Sequence, residues 1–272
     1  MITSISEIKD EYNRLQEGEF PDFIKKYSDD GRSGVAALVK KAVAKIEKYE
    51  AELARTERML SYEKEYSEYS AICGIDEAGR GPLAGPVVAG AVILPVEDRI
   101  LYLNDSKQLS AAKRDELYDI IYSRAVAVSV GIVDHDRIDE INILQATYEA
   151  MRIAVMNLSK KPDILLNDAV TIPGIDIKQV PIIKGDAKSC SIAAASIVAK
   201  VTRDRIMAEM DREYPEYGFA QNKGYGSAQH IEAIKKYGPC KIHRRTFIGN
   251  FILAELAGRH YAYSNRREYF KQ

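Results

Sequence analysis

The chain has no tryptophan, and its three cysteines, Cys73, Cys190 and Cys240, are too few and too scattered for a disulfide framework or a C-x-x-C zinc site. No apolar run reaches the roughly 18 residues that a membrane span needs. Met1-Ile2-Thr3-Ser4 does not open a basic segment followed by an apolar one, so no leader is expected and the cytoplasm is the expected location. There is no G-x-x-x-x-G-K-[ST] and no G-x-G-x-x-G at a helix start, which removes the usual grounds for a nucleotide cofactor. The four histidines, His135, His230, His243 and His260, fit no H-E-x-x-H or other metal spacing. His230 and His243 read as helix-end or substrate-edge residues.

The net charge of -1 carries no global signature of a nucleic-acid binder, but it is unevenly spread. Residues 1–70 hold 12 Lys and Arg against 15 Asp and Glu, whereas residues 201–272 hold 13 against 8. A basic C-terminal third can supply a local patch for phosphates. With 46% hydrophobic and 29% charged residues, the 272-residue chain has the composition of a globular protein able to bury a core.

Residues 1–70 read as a helical extension, and residues 71–272 as the main domain. Capping-type residues open the extension at Ser4-Ile5-Ser6-Glu7. Val35, Val39, Ala42, Ile46, Tyr49 and Leu53 then recur at helical spacing, which predicts one long helix to about Tyr66. Its apolar face must be covered by the main domain, by a partner or by the preceding helix. Tyr62, Tyr66 and Tyr69 could stack on bases or finish a packed face, and Lys40, Lys41, Lys45 and Lys48 could meet substrate.

From residue 71 the pattern becomes α/β. Strands are expected over 71–75, 87–94, 125–133, 163–167 and 179–183, with the first two forming an antiparallel hairpin. Helices are expected over 134–157, 191–210 and 228–237. This predicts a mixed five-stranded sheet flanked by helices.

The stretch Gly74-Ile75-Asp76-Glu77-Ala78-Gly79-Arg80-Gly81-Pro82 places two adjacent carboxylates at a strand end, then breaks the chain with glycine and proline. Two anions side by side repel, so keeping both calls for a cation or for solvent. Asp168 also ends an apolar run, and Asp186 stands between the fifth strand and a helix. Strand ends of this kind form the crevice in which ligands of open α/β sheets sit. Oxygen-only donors suit Mg²⁺ or Mn²⁺, and a pair of such ions serves many nucleases.

Together with Asp105-Ser106-Lys107, Lys184-Gly185-Asp186, the segment 191–204, Asn222-Lys223-Gly224-Tyr225-Gly226 with His230, and His243-Arg244-Arg245-Thr246-Phe247, this stretch resembles bacterial ribonuclease HII in order and spacing over residues 71 to about 250. Gly79-Arg80-Gly81 favours that type over ribonuclease HIII. The resemblance implies a ribonuclease H fold and a metal-dependent endonuclease. It would cut the RNA strand of RNA–DNA hybrids and at ribonucleotides embedded in duplex DNA, leaving a 3′-hydroxyl and a 5′-phosphate. It implies catalytic and metal-binding roles for Asp76, Glu77, Asp168 and Asp186, with Mg²⁺ or Mn²⁺ as cofactor. It further implies a 2′-hydroxyl sensor at Gly79, Arg80 and Gly81, a junction tyrosine at Tyr225, and substrate contacts at Lys107 and Lys184. A monomer is expected, with protein partners left open. In one place the chain departs from the family pattern: Asn167-Asp168-Ala169 stands where many members have Asp-Gly. Two other readings stay open, a superfamily nuclease or strand-transfer protein acting on DNA alone and a non-catalytic nucleic-acid binding module.

Overall fold

Ser4 starts the first helix, α1 (Ile5–Arg14), by a reciprocal cap: its hydroxyl accepts from the Glu7 amide, and the Glu7 carboxylate accepts from the Ser4 amide at 2.7 Å. The computed structural model describes residues 3–95 and 97–249. They divide into two units, Met1–Met59 with Arg99–Tyr102, and Leu60–Asp98 with Leu103 onward. In the first, α1, α2 (Phe20–Tyr27) and α3 (Ser33–Met59) bury Ile8, Phe20, Phe23 and Tyr27 against Val35, Leu38 and Ala42. The apolar face of the N-terminal part of α3 is therefore covered by the helices that precede it in the chain. Lys45 lies 5.1 Å over the Tyr12 ring and 4.7 Å over Phe20, occupied within its own unit. The expected continuation to Tyr66 fails: α3 ends at Met59, and a separate short helix, α4 (Ser61–Glu65), belongs to the second unit.

The second unit is built on a five-stranded sheet of β1 (Ile72–Ala78), β2 (Val87–Ile93), β3 (Ala127–Val133), β4 (Ile164–Asp168) and β5 (Lys178–Ile182), in the order β3-β2-β1-β4-β5. β1 is antiparallel to β2 and parallel to β4, so β1 and β4 end at the same edge. Cys73 and Ile75 bury on one face with Ala146, Ala150 and Ala154 of α6 (His135–Met156). The other face carries α7 (Cys190–Glu213), whose small residues come close at two glycines. A Cβ on Gly74 would strike the Ser191 backbone, and one on Gly90 would strike Ala195. Asp76 pairs with Gly90 across the ladder, so it shares that α7-facing side.

Three elements depart from expectation. A helix that periodicity did not reveal, α5 (Ala111–Arg124), lies between β2 and β3 and buries only Leu117 and Ile121. α6 is interrupted at Asn142 (φ 66), whose side chain accepts from the amides of Leu144 and Gln145 and so restarts the helix. β1 also runs through Asp76 and Glu77 to Ala78, making both carboxylates part of the strand. After α7 come α8 (Phe219–Asn222) and α9 (Ala228–Tyr237), packed around Met207, Tyr217, Phe219 and Ile234. The C-terminal part of the expected domain beyond residue 249, including His260, lies outside the described residues.

Candidate active site

Asp76 and Glu77 enter the site on the last turns of β1's pleat, and Asp168 on the last residue of β4. β5 then leads to Lys184 (φ 56) and the single turn Gly185–Ala187 that carries Asp186. That turn is tied to β4, because the Gly185 amide donates to Asp168 Oδ1 at 2.7 Å. The Asp76 carboxylate accepts from the Glu77 amide at 2.7 Å. Burial, and next the Glu77 charge, push the Asp76 carboxyl well above the usual carboxylate range; a hydrogen bond from the Ser196 hydroxyl opposes the shift, and Asp168 adds to it. Burial also raises Glu77, against the Arg80 charge, and raises Asp186, with Asp168 and Asp105 adding to it. The structure thus gathers the four predicted carboxylates, with the Asp168 charge raising Asp76, Glu77 and Asp186.

Two cations answer that charge. Arg80 Nη1 lies 3.4 Å from Glu77 Oε1. Lys107 is held in its charged form by Asp105, Asp76 and Asp186, in that order, against the cost of its burial. Its backbone is set by a turn in which Asp105 accepts from the Lys107 amide at 2.9 Å. Arg114 anchors the same segment through the carbonyls of Ser106 and Leu109. The Ser196 and Ser106 hydroxyls lie 3.0 Å apart, so one α7 serine touches both the Lys107 segment and Asp76.

Among the described residues no three His, Cys, Asp or Glu side chains close into a ready ion cage. The donor set nevertheless fits a hard divalent cation: it is all oxygen, partly buried and over-supplied with negative charge. Asp76, Glu77, Asp168 and Asp186 are the residues that would hold it.

The loop carrying Gly79, Arg80 and Gly81 is fixed from beneath by two buried arginines. Arg203 donates to the carbonyls of Pro86, Ala84 and Lys223, and Arg244 to those of Gly85, Arg80, Gly79 and Pro86. Among the described residues neither guanidinium forms an ion pair with a carboxylate, and burial lowers Arg203 to about 10 and Arg244 to about 9, so both stay charged at neutral pH. Gly79 has φ +98, and a Cβ there would run into Arg203. A Cβ on Gly81 would meet only the Tyr225 ring, at 3.8 Å, which puts loop and tyrosine side by side. The Gly224 carbonyl accepts from the Leu83 amide at 2.8 Å, linking the two backbones. Tyr225 is 44% exposed. Lys184 is exposed two residues before Asp186.

His230 stands at the helix end, in the first turn of α9, as one of the two alternatives had it, but both His230 and His243 are buried, which corrects the substrate-edge alternative. Their Nε2 atoms are 3.0 Å apart. His243 Nδ1 accepts from the Cys240 amide at 2.9 Å, which leaves the proton on its Nε2. His243 then donates to His230, whose Nδ1–H donates to the Tyr225 carbonyl at 2.9 Å. Two neutral rings thus support the tyrosine loop from behind. Sequence reasoning also left Ser196, Arg203 and Arg244 without roles. The signal for the first two was available: polar residues seven apart, and so on one face, in an alanine-rich helix.

A family model described as ribonuclease HII matches residues 73–250, and one described as ribonuclease HII N-terminal domain matches residues 4–67. A ribonuclease HII of Lachnoclostridium phytofermentans is 60% identical over 250 residues, covering 92% of this chain and 98% of that protein. The crystal structure of ribonuclease H2 from Pyrococcus horikoshii superposes with a TM-score of 0.58 at 30% identity, covering 68% of this chain and 98% of that one. Bst ribonuclease HIII in complex with Mn²⁺ shares the fold, with a TM-score of 0.53 at 17% identity over 70% of this chain and 71% of that one.

Proposed function

Because the chain belongs to the ribonuclease HII family, hydrolases of the ribonuclease H type, we propose that it cuts the RNA strand of RNA–DNA hybrids, and duplex DNA at embedded ribonucleotides, leaving a 3′-hydroxyl and a 5′-phosphate. The observation that carries this reading is the meeting of four carboxylates and Lys107 at the shared edge of β1 and β4, beside a clamped glycine loop and an exposed tyrosine. Asp76, Glu77, Asp168 and Asp186 would hold two Mg²⁺ or Mn²⁺ ions, which would supply an activated water and charge stabilisation at the leaving oxygen. Lys107 and Lys184 engage phosphates. The backbone of Gly79, Arg80 and Gly81 reads the 2′-hydroxyl, the group that separates RNA from DNA, and the Tyr225 ring takes the adjoining sugar. Arg203 and Arg244 keep that loop from yielding and place fixed positive charge under a polyanionic substrate.

All four carboxylates come from one chain, so a monomer suffices, with residues 71–272 as the catalytic part and residues 1–70 as a helical extension. Among the described residues no helix is long and apolar enough to cross a membrane. No disulfide joins the three cysteines, as suits the cytoplasm. The test is cleavage of hybrid, embedded-ribonucleotide and all-DNA duplexes with and without Mn²⁺ or Mg²⁺. Asp76→Asn should lower metal-dependent cleavage of both ribonucleotide substrates at least a thousandfold while leaving the circular dichroism spectrum unchanged. Near-normal rates in that variant, or equal cutting of all-DNA duplex, would end the proposal.

A further inference from the structure

Glu63 is a buried carboxylate on α4, just before β1 in the chain, yet it reaches the start of α7, more than 120 residues later. Its Oε1 accepts from the Ser189 hydroxyl at 2.6 Å and from the Ser191 amide at 2.9 Å. Ser189 is the cap of α7, and its hydroxyl also accepts from the Ile192 amide at 3.2 Å. A carboxylate at a helix's third residue usually completes such a cap; here that position is Ile192, and a carboxylate 126 residues earlier does the work. The anchored end lies only three residues beyond Asp186. The Gly185 carbonyl accepts from the amides of Lys188 and Ser189 at 2.9 and 2.8 Å, and the Gly185 amide donates to Asp168. The turn bearing Asp186 is thus stapled at one end to Asp168 and at the other, through Ser189, to Glu63. The surroundings permit little slack: a Cβ on Gly74 would strike Ser191, and one on Gly185 would strike Ile192. α4's neighbours hold it in place, since Tyr62, Tyr66 and Tyr69 pack on Ile72, Ile164, Leu166, Ile182 and Ile192. Lys178 also sits 5.0 Å over both Tyr66 and Tyr69.

We propose that Glu63 is a positioning residue for the metal site, fixing Asp186 against Asp168 through the Ser189 cap. The inference rests on the reading of those carboxylates as metal ligands. It gives the segment just before β1 a part in catalysis without contact with the substrate.

The test measures Mn²⁺ binding to the full-length protein by isothermal titration calorimetry, alongside kcat and KM on an embedded-ribonucleotide duplex. Glu63→Ala should weaken Mn²⁺ binding about tenfold and lower kcat at subsaturating Mn²⁺, with KM for the duplex unchanged. Glu63→Gln keeps the accepting oxygen, and burial already disfavours the charged form of Glu63, so it should restore binding to within about threefold of wild type. Should Glu63→Ala fail to fold, Ser189→Ala cuts the same link and should weaken Mn²⁺ binding about threefold or more. A folded Glu63→Ala or Ser189→Ala protein with wild-type Mn²⁺ affinity would overturn the proposal, even if its melting temperature had dropped. Wild-type protein that binds no Mn²⁺ and cuts nothing would instead overturn the functional reading beneath it.

Discussion

Ala169 shows how much a single position can hold that sequence comparison only hints at. It follows Asp168 where the family pattern favours glycine, and the structure gives the reason: its φ is 57, the left-handed region that costs a residue with a Cβ about 1 kcal/mol or more. Its amide is nonetheless committed, donating to the Ile182 carbonyl at 3.0 Å, so the conformation cannot relax without breaking the β4–β5 end. Ala169→Gly removes the strain, while the greater freedom of glycine in the unfolded chain returns part of the gain. The net effect should be about 0.5–1 kcal/mol of added stability, read as a rise of roughly 2 °C in melting temperature. A fall in melting temperature would show that the alanine side chain contributes packing that outweighs its strain. At this same scale the four carboxylates were legible because ends of apolar runs announce them. Glu63, His230, His243 and Arg244 were not, since nothing in a sequence shows which distant carbonyl or amide a buried polar group will satisfy.

Among elements, the sheet was legible, whereas one helix and one helix boundary were not. β1 to β4 are written in β-branched and small apolar residues, and five strands with an antiparallel first pair appear as expected. α5 escaped because two buried residues, Leu117 and Ile121, a single turn apart among charged ones, give too little periodicity to see. The break at Leu60 escaped because no glycine or proline marks it; Arg55 and Thr56 both donate to Glu52 one turn before α3 ends. The loop 79–86 and the loop bearing Tyr225 were both recognised, but their union was not. It depends on Arg203 spanning Ala84, Pro86 and Lys223, and on the Leu83 amide reaching Gly224. The union sets the Tyr225 ring beside Gly81, where the proposed function has it take the sugar next to the ribonucleotide. Tyr225→Ala should therefore reduce kcat/KM at a single embedded ribonucleotide by roughly tenfold more than on a long hybrid. Equal losses on the two substrates would remove the junction role from Tyr225 and leave it a general sugar contact.

For the whole molecule, buried titratable groups of opposite kinds set the response to acid. The folded state holds His243 at about 4, below its ordinary 6.5, through burial and then the nearby His230, and burial lowers His230 as well. Between those values the unfolded chain takes up protons that the folded chain refuses, so this pair loses stability as pH falls from 6.5 towards 4. Asp76, Glu77 and Asp186 act in the opposite sense. Their folded carboxyls are raised, so they protonate before the unfolded ones do and gain stability over part of the same window. The bare pH dependence of wild type is a partial cancellation and identifies neither group. A comparison separates them. His243→Gln removes one refusing imidazole and leaves the carboxylates in place, with an amide able to accept from Cys240. Urea unfolding at pH 6.5, 5.5 and 4.5 should find wild type losing up to about 1.4 kcal/mol more per pH unit than the variant. Parallel slopes for the two proteins would mean that the buried imidazole pair already carries a proton in the folded state, and the neutral hydrogen-bond chain from Cys240 to Tyr225 would have to be redrawn.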